Sequence, residues 1–245
     1  MFYDFKNSTE ISDDLYIYGD IVNKKSLEYD GTGWRPSETD VDLQTFKEKV
    51  DALGAGKTLN IFINSGGGSV FAASTMVSMI KRAKERGARI ISYIDGLAAS
   101  AASLFPMVAD ESHVYSNSML MIHSPINGMI GYYNAAELRQ TADTLDAVES
   151  GVMLPLYLSR SKLSEQRIKN LLKAETWMNT KQIAETFDGF IFHDEEKQAA
   201  ACVSDYFAKY SHTPEGFIRK PDDNRKKPDL SAYKNKLKLL KRKDD

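Results

Sequence analysis

Leu15, Ile17, Gly19 and Ile21 alternate with other positions at a period of two, the repeat of a half-buried strand, and a Gly- and Pro-containing loop at 30–37 follows. After Asp40, which reads as an N-cap, Leu43, Phe46, Val50 and Leu53 recur at helical intervals until Gly54 and Gly56 close the segment. Residues 59–63 (LNIFI) form a short apolar strand, and 64–69, with three consecutive glycines, lead into a helical pattern over 70–85. The order then repeats. Residues 89–94 are strand-like, Asp95 and Gly96 turn, and the Ala-rich stretch 98–109 has high helix propensity. Two strand–turn–helix units in series predict an α/β domain.

Further on, short strands are expected at 113–115 and 119–122, then an Asn/Gly-rich loop at 124–133. Leu138, Thr141, Leu145, Val148, Val152 and Leu156 make one apolar stripe, predicting a long protruding or packing helix at about 134–158, with Pro155 near its end. Ser164 can cap a helix carrying Ile168, Leu171 and Leu172, and Thr180 one that ends at Asp188 and Gly189; a strand follows at 190–192. Beyond 218 the composition turns to charge. Residues 219–229 read as a linker and 230–243 as an amphipathic helix through Leu230, Tyr233, Leu237 and Leu240. The expected organisation is an arm at 1–12, a domain at 13–218 and a tail at 219–245, without internal repeats.

Composition narrows the class. A chain of 245 residues has ample material for a core, and its one cysteine, Cys202, cannot form an internal disulfide. No Cys/His pair stands at zinc-ligand spacing, so no metal is expected. The longest uncharged apolar stretch, 96–109, falls short of the roughly 20 residues a membrane helix needs, and the start lacks the apolar core of a signal peptide. The expectation is a cytoplasmic protein. Charge is unevenly spread: 219–245 carry eleven Lys and Arg against five Asp and Glu, a net of +6, so 1–218 carry −8. A basic tail on an acidic body fits either an interaction segment or a solvated end.

Three places can carry chemistry. Gly66, Gly67 and Gly68 lie between a strand and a helix, where amides present partial positive charge; the turn can hold an anion, form an oxyanion hole, or be only a tight turn. No Gly-Lys-Ser/Thr follows it, which excludes a kinase-type phosphate loop. Ser100 stands at a strand-to-helix junction among small residues, placed either as a nucleophile or as a cap or filler, with Ser103 one turn on. A nucleophilic serine needs a base. Of His113, His123, His193 and His212, His123 is best placed, at the end of an apolar strand and the start of a polar loop.

Taken together, INSGGGSV at 63–70, GLAASAAS at 96–103 and MIHSP at 121–125 resemble the three core motifs of the ClpP serine peptidases, in order and separation, within a similarity covering roughly 13–202. The resemblance implies Ser100 as nucleophile, His123 as general base, amides of Gly68 and Ala101 as oxyanion hole, and Ser103 as structural. It also implies a ClpP/crotonase-like α/β spiral of β-β-α units, with the 134–158 helix as the handle through which rings pair, and no cofactor. Two positions depart from the pattern. Gly66 replaces the usual proline, which makes the turn more flexible, and Leu171 stands where the aspartate is expected, leaving Glu175 as the nearest acid. The glycine-rich turn, the ETW segment and the lysine-rich tail most resemble the ClpP-related head maturation (prohead) proteases of tailed phages. Their expected partners are capsid, scaffold or portal proteins in a host procapsid, with no membrane and no required nucleic acid. The competing readings are a housekeeping protease served by an ATP-driven unfoldase, an acyl-CoA enzyme of the crotonase group, and a catalytically silent assembly protein.

Overall fold

The computed structural model describes residues 9, 11–29, 33–196, 202, 204 and 206–214. Strand β1 (Ser12–Ile17) buries Leu15 and Ile17 completely, as the alternation predicts. Then come β2 (Ile21–Val22), a hairpin of β3 (Leu27–Tyr29) and β4 (Trp34–Pro36), β5 (Val41–Asp42) and helix α1 (Leu43–Ala52). The expected cap moves by two residues. Asp42 caps α1 by accepting from Thr45 N at 3.0 Å, because Val41 and Asp42 are held in parallel register with Ile21 and Val22; Asp40 instead accepts from the Ser26 amide and hydroxyl at 2.8 and 2.7 Å.

The next unit is β6 (Thr58–Ser65), α2 (Val70–Glu85, capped by Ser69) and β7 (Arg89–Ala99). Here the expected turn at Asp95–Gly96 and the helix over 98–109 are both replaced. β7 runs on to Ala99, followed by a 3₁₀ turn at Ser100–Ser103 and a short α3 (Leu104–Val108). Strand partners on both sides override alanine's helix propensity: Ser65 pairs with Ala98 after a register shift, and Leu97, Ala98 and Ala99 pair with a strand from the second half.

That second half comprises β8 (Glu111–Tyr115), β9 (Met119–Ile122), α4 (Ala135–Val148), α5 (Leu154–Leu158), α6 (Glu165–Lys173), β10 (Thr176–Met178), α7 (Thr180–Thr186) and β11 (Phe190–His193). The expected 134–158 helix is interrupted by a π-turn at Glu149–Met153. Pro155 has no N–H to give the carbonyl four residues back, so the regular ladder breaks just before it. Asn179 rather than Thr180 caps α7, in a reciprocal box with Gln182, and β10 had no signal in the periodicity.

The main sheet runs β1-β6-β7-β8-β11, all parallel, and the far end of β7 pairs β9, which carries β10 antiparallel. This is a mixed α/β fold with a mainly parallel sheet, the α/β class expected, although only the first strand–turn–helix unit forms as read. One sheet face supplies Leu59, Ile61, Ile63, Ile90 and Ile94 to a core shared with Phe46, Met76, Ile80 and Phe105. Along the other, Tyr16, Phe62, Tyr93, His113 and His193 stack ring on ring at 4.7–5.1 Å. Among the described residues no helix is long and apolar enough to cross a membrane. The expected linker and amphipathic helix, 219–243, lie outside the described residues, as does most of the 1–12 arm.

Candidate active site

Sheet register assembles the site. β7 ends at Ala99, paired with Met121; β9 ends at Ile122, paired with Thr176. Ser100, His123 and Glu175 therefore leave the same margin of the sheet, each one residue beyond a paired strand residue. Ser100 Oγ lies 2.7 Å from His123 Nε2, with the two residues only 8% and 6% exposed. Ser100 also takes a backbone φ of +51°, a left-handed conformation that costs a non-glycine residue of order 1–2 kcal/mol. That strain turns the side chain out of the strand at the corner where the 3₁₀ turn begins.

Ser103 holds the corner from behind. Its hydroxyl donates to the Ser100 carbonyl at 2.6 Å and lies 2.7 Å from the hydroxyl of Tyr157, a fully buried ring. Burial lowers the His123 pKa below the ordinary imidazole value, and the negative charge of Glu175 partly offsets this. A neutral ring with a free lone pair can accept a proton from the serine at neutral pH.

Glu175 follows α6 with φ +48°, the left-handed post-helix position where glycine is common; it and Ser100 are the two such non-glycine residues among those described. Its carboxylate does not hydrogen-bond to His123. It accepts from the amides of Ser211 and His212 at 2.7 and 2.6 Å and from the Trp177 indole at 3.3 Å. Partial burial works to raise its pKa, but these donors and His123 bring it below the ordinary carboxylate range. No described residue hydrogen-bonds to His123 Nδ1. Leu171 packs partly buried against the core.

Gly68 is fixed by its neighbours. Ile21 donates to the Gly67 carbonyl and accepts from Ser69 N, both at 2.8 Å, and a β-carbon on Gly68 at φ +141° would fall 2.1 Å from the Ile21 carbonyl oxygen. Only glycine fits there. No described residue accepts from the Gly68 N–H, and Ala101 is the second residue of the 3₁₀ turn, where the first amides have no intrahelical acceptor. Both residues line, with Ser100 and His123, a cavity of about 760 Å³ whose apolar wall includes Val70, Phe71, Ile126, Leu145 and Met153.

The other histidines stand elsewhere. His113 and His193 are bonded to each other at 2.9 Å within the outer ring stack, and His212 is exposed. Cys202 is no rival nucleophile, since burial, with a contribution from the charge of Asp20, pushes its thiol up to about 12. Sequence reasoning missed Tyr210, which reaches the site from a polar stretch without periodicity. Its hydroxyl donates to the Gly66 carbonyl at 2.5 Å and its ring meets His123 edge to face at 5.0 Å.

The sequence model of the Clp protease family matches residues 49–193, more than half of the chain and all of the segments that supply Ser100, His123 and Glu175. The chain belongs to the Clp protease family. Among similar proteins, the ATP-dependent Clp protease proteolytic subunit 2 of Treponema denticola is 28% identical over 138 residues, 56% of this chain and 66% of that protein. The ATP-dependent Clp protease proteolytic subunit of Porphyromonas gingivalis is 30% identical over 91 residues, 36% of this chain and 40% of that one. The chain thus spans less than two thirds of the length of these relatives. The Clp protease match ends at His193, so Tyr210 and its neighbours lie beyond it.

Proposed function

We propose that this Clp protease family member is a serine endopeptidase, with Ser100 as nucleophile and His123 as general base. The observation that carries the reading is the 2.7 Å contact between Ser100 Oγ and His123 Nε2 at a strained corner facing the cavity. Ser100 Oγ attacks the scissile carbonyl while its proton passes to His123 Nε2. The oxyanion is received by the amides of Gly68 and Ala101, pre-oriented donors of the kind whose removal typically costs two to three orders of magnitude in rate. Collapse breaks the C–N bond, and His123 gives its proton to the departing amine. A water molecule then gives a proton to the same nitrogen and attacks the acyl-enzyme; the bond to Ser100 Oγ breaks and His123 returns the proton to Ser100. Glu175 acts by charge, favouring the imidazolium formed in each half-reaction.

The substrates under this reading are capsid, scaffold or portal proteins during phage procapsid maturation. The support is the resemblance in the glycine-rich turn, the ETW segment and the basic tail, whose net +6 suits an acidic assembly partner. Self-association is part of the proposal: Ile130, Tyr132 and Leu138 are 100%, 106% and 50% exposed at and before the start of α4, an apolar surface suited to a second copy. A second reading, a general protease served by an ATP-driven unfoldase, takes its support from the names of the two relatives.

The decisive experiment is intact-mass analysis after fluorophosphonate treatment of the wild type, Ser100→Ala and His123→Ala. One adduct that needs both residues supports the hydrolase. No adduct in any oligomeric state sinks it in favour of a silent assembly protein. Incubation with capsid, scaffold and portal proteins, with and without an unfoldase and ATP, then separates the two protease readings.

A further inference from the structure

Beyond the segment that the family model matches, Ser204 and residues 206–213 return to the site. Ser204 Oγ donates to Asp20 Oδ1 at 2.5 Å, and Thr213 Oγ1 donates to the Phe207 carbonyl at 2.7 Å. The amides of Ser211 and His212 are bound to Glu175, and the Tyr210 hydroxyl to the Gly66 carbonyl. Apart from the internal Thr213 bond, these anchors tie the segment to Asp20 and to two elements beside the reacting pair, the glycine turn and the α6–β10 corner. The Tyr210 ring, 8% exposed, lies between them, edge to face with His123 at 5.0 Å and with Trp177 at 6.2 Å.

The segment is placed as a wall rather than a plug. Tyr206, Lys209 and Tyr210 line one side of the 760 Å³ cavity, whose space still reaches Gly68, Ser100 and Ala101. We propose that this segment completes the active site, with Tyr210 as a positioning residue that holds the His123 ring and the Gly66 turn in register with Ser100. The proposal rests on Ser100 and His123 being the reacting pair.

Two functions of Tyr210 separate by substitution. Its ring keeps water from His123, whose other near polar groups are the Ser100 hydroxyl and the charge of Glu175. Its hydroxyl fixes the carbonyl of the turn that presents Gly68 and interacts with the side chain of Ser100. Tyr210→Phe removes only the second, and Tyr210→Ala removes both.

The experiment is carried out on the full chain. The His123 imidazole is titrated by NMR, which needs no activity, and the rate of fluorophosphonate labelling is followed against pH. In Tyr210→Ala the His123 midpoint moves up toward that of a hydrated imidazole, and labelling slows by about tenfold to a hundredfold, the cost of misplacing reacting groups by a fraction of an ångström to an ångström. In Tyr210→Phe the midpoint stays at the wild-type value while labelling slows by a smaller factor. Labelling that is unchanged or faster in Tyr210→Ala, with the His123 midpoint unmoved in both variants, overturns the proposal and makes the segment a passive cover or lid. If the wild type does not label at all, the peptidase reading fails separately, and the NMR midpoints alone decide whether Tyr210 controls His123.

Discussion

A β-carbon on Gly66 would fall 2.4 Å from both Cβ and Oγ of Ser204, and 3.1 Å from the Phe207 ring. The position where the family resemblance expects proline is therefore bare because another part of the chain occupies the space. The flexibility expected of this glycine is replaced by constraint, since its carbonyl accepts from Tyr210. Gly66→Ala is expected to cost about 1–3 kcal/mol, the usual penalty of overpacking. Ser204→Gly, which removes one of the colliding groups, should recover part of that loss. Denaturant unfolding of both single variants and the double variant measures the coupling, and strict additivity would refute the contact.

Ser103 and Ser100 are close in sequence and opposite in expected behaviour. Ser103→Ala leaves the buried Tyr157 hydroxyl without its hydrogen-bond partner and frees the Ser100 carbonyl. A loss of about 1–3 kcal/mol in stability is expected from the orphaned buried group. The fluorophosphonate adduct should stay on Ser100, as peptide mapping will show; its transfer to another residue would contradict the assignment of roles.

The pH dependence follows from burial. Labelling requires neutral His123, and burial holds its pKa below the ordinary value of about 6.5. The rate should therefore rise with pH to a plateau, with its midpoint below that value. Glu175→Gln removes the charge that favours the imidazolium, so the midpoint should move further down. An upward or absent shift would exclude electrostatic action by Glu175. Stability has the same sign: because the folded pKa lies below the unfolded one, the unfolded chain binds the extra proton first. The contribution of His123 is complete above the unfolded pKa and falls away as pH drops through the window between the two.

Much of this was legible in the sequence, for identifiable reasons. Ser100, His123 and the glycine turn stand out through three motifs that resemble the family's in order and separation, where the residue types alone leave each a structural alternative; the alternation of β1 and the repeat of α1 and α2 follow from burial on one face. The error at 95–109 arose because alanine's helix propensity is weak against two flanking strands that can pair with β7. Glu175 is the nearest acid in the sequence, but its two backbone-amide hydrogen bonds come from residues 36 and 37 positions away. Tyr210 lies 144 residues from Gly66, and no periodic pattern marks such a contact. Long-range closure of this kind depends on one hydroxyl and one bare carbonyl, each ordinary in its own neighbourhood.

The stripe on α4 offers the test of assembly. Leu138 is half exposed and most of the helix before Val148 faces away from the core, so the apolar side read as a packing face has little to pack on within one chain. Asn134 and Glu137 form a reciprocal cap that secures the first turn independently of any partner. Leu138→Asp should therefore leave the fold and helix content intact, because Leu138 is half exposed and is not one of the buried core residues. If a second copy covers this face, the substitution forfeits the burial of the exposed half of a leucine on each of the two copies, about 1.5–3 kcal/mol for the pair. That corresponds to roughly a tenfold to hundredfold weaker self-association. Sedimentation across a concentration series measures it directly: a mass distribution shifted toward smaller species, with unchanged circular dichroism, is the expected result. An unchanged distribution would remove Leu138 from the interface and leave Thr141, Leu145 and Val148 as the part of the stripe that lines the cavity.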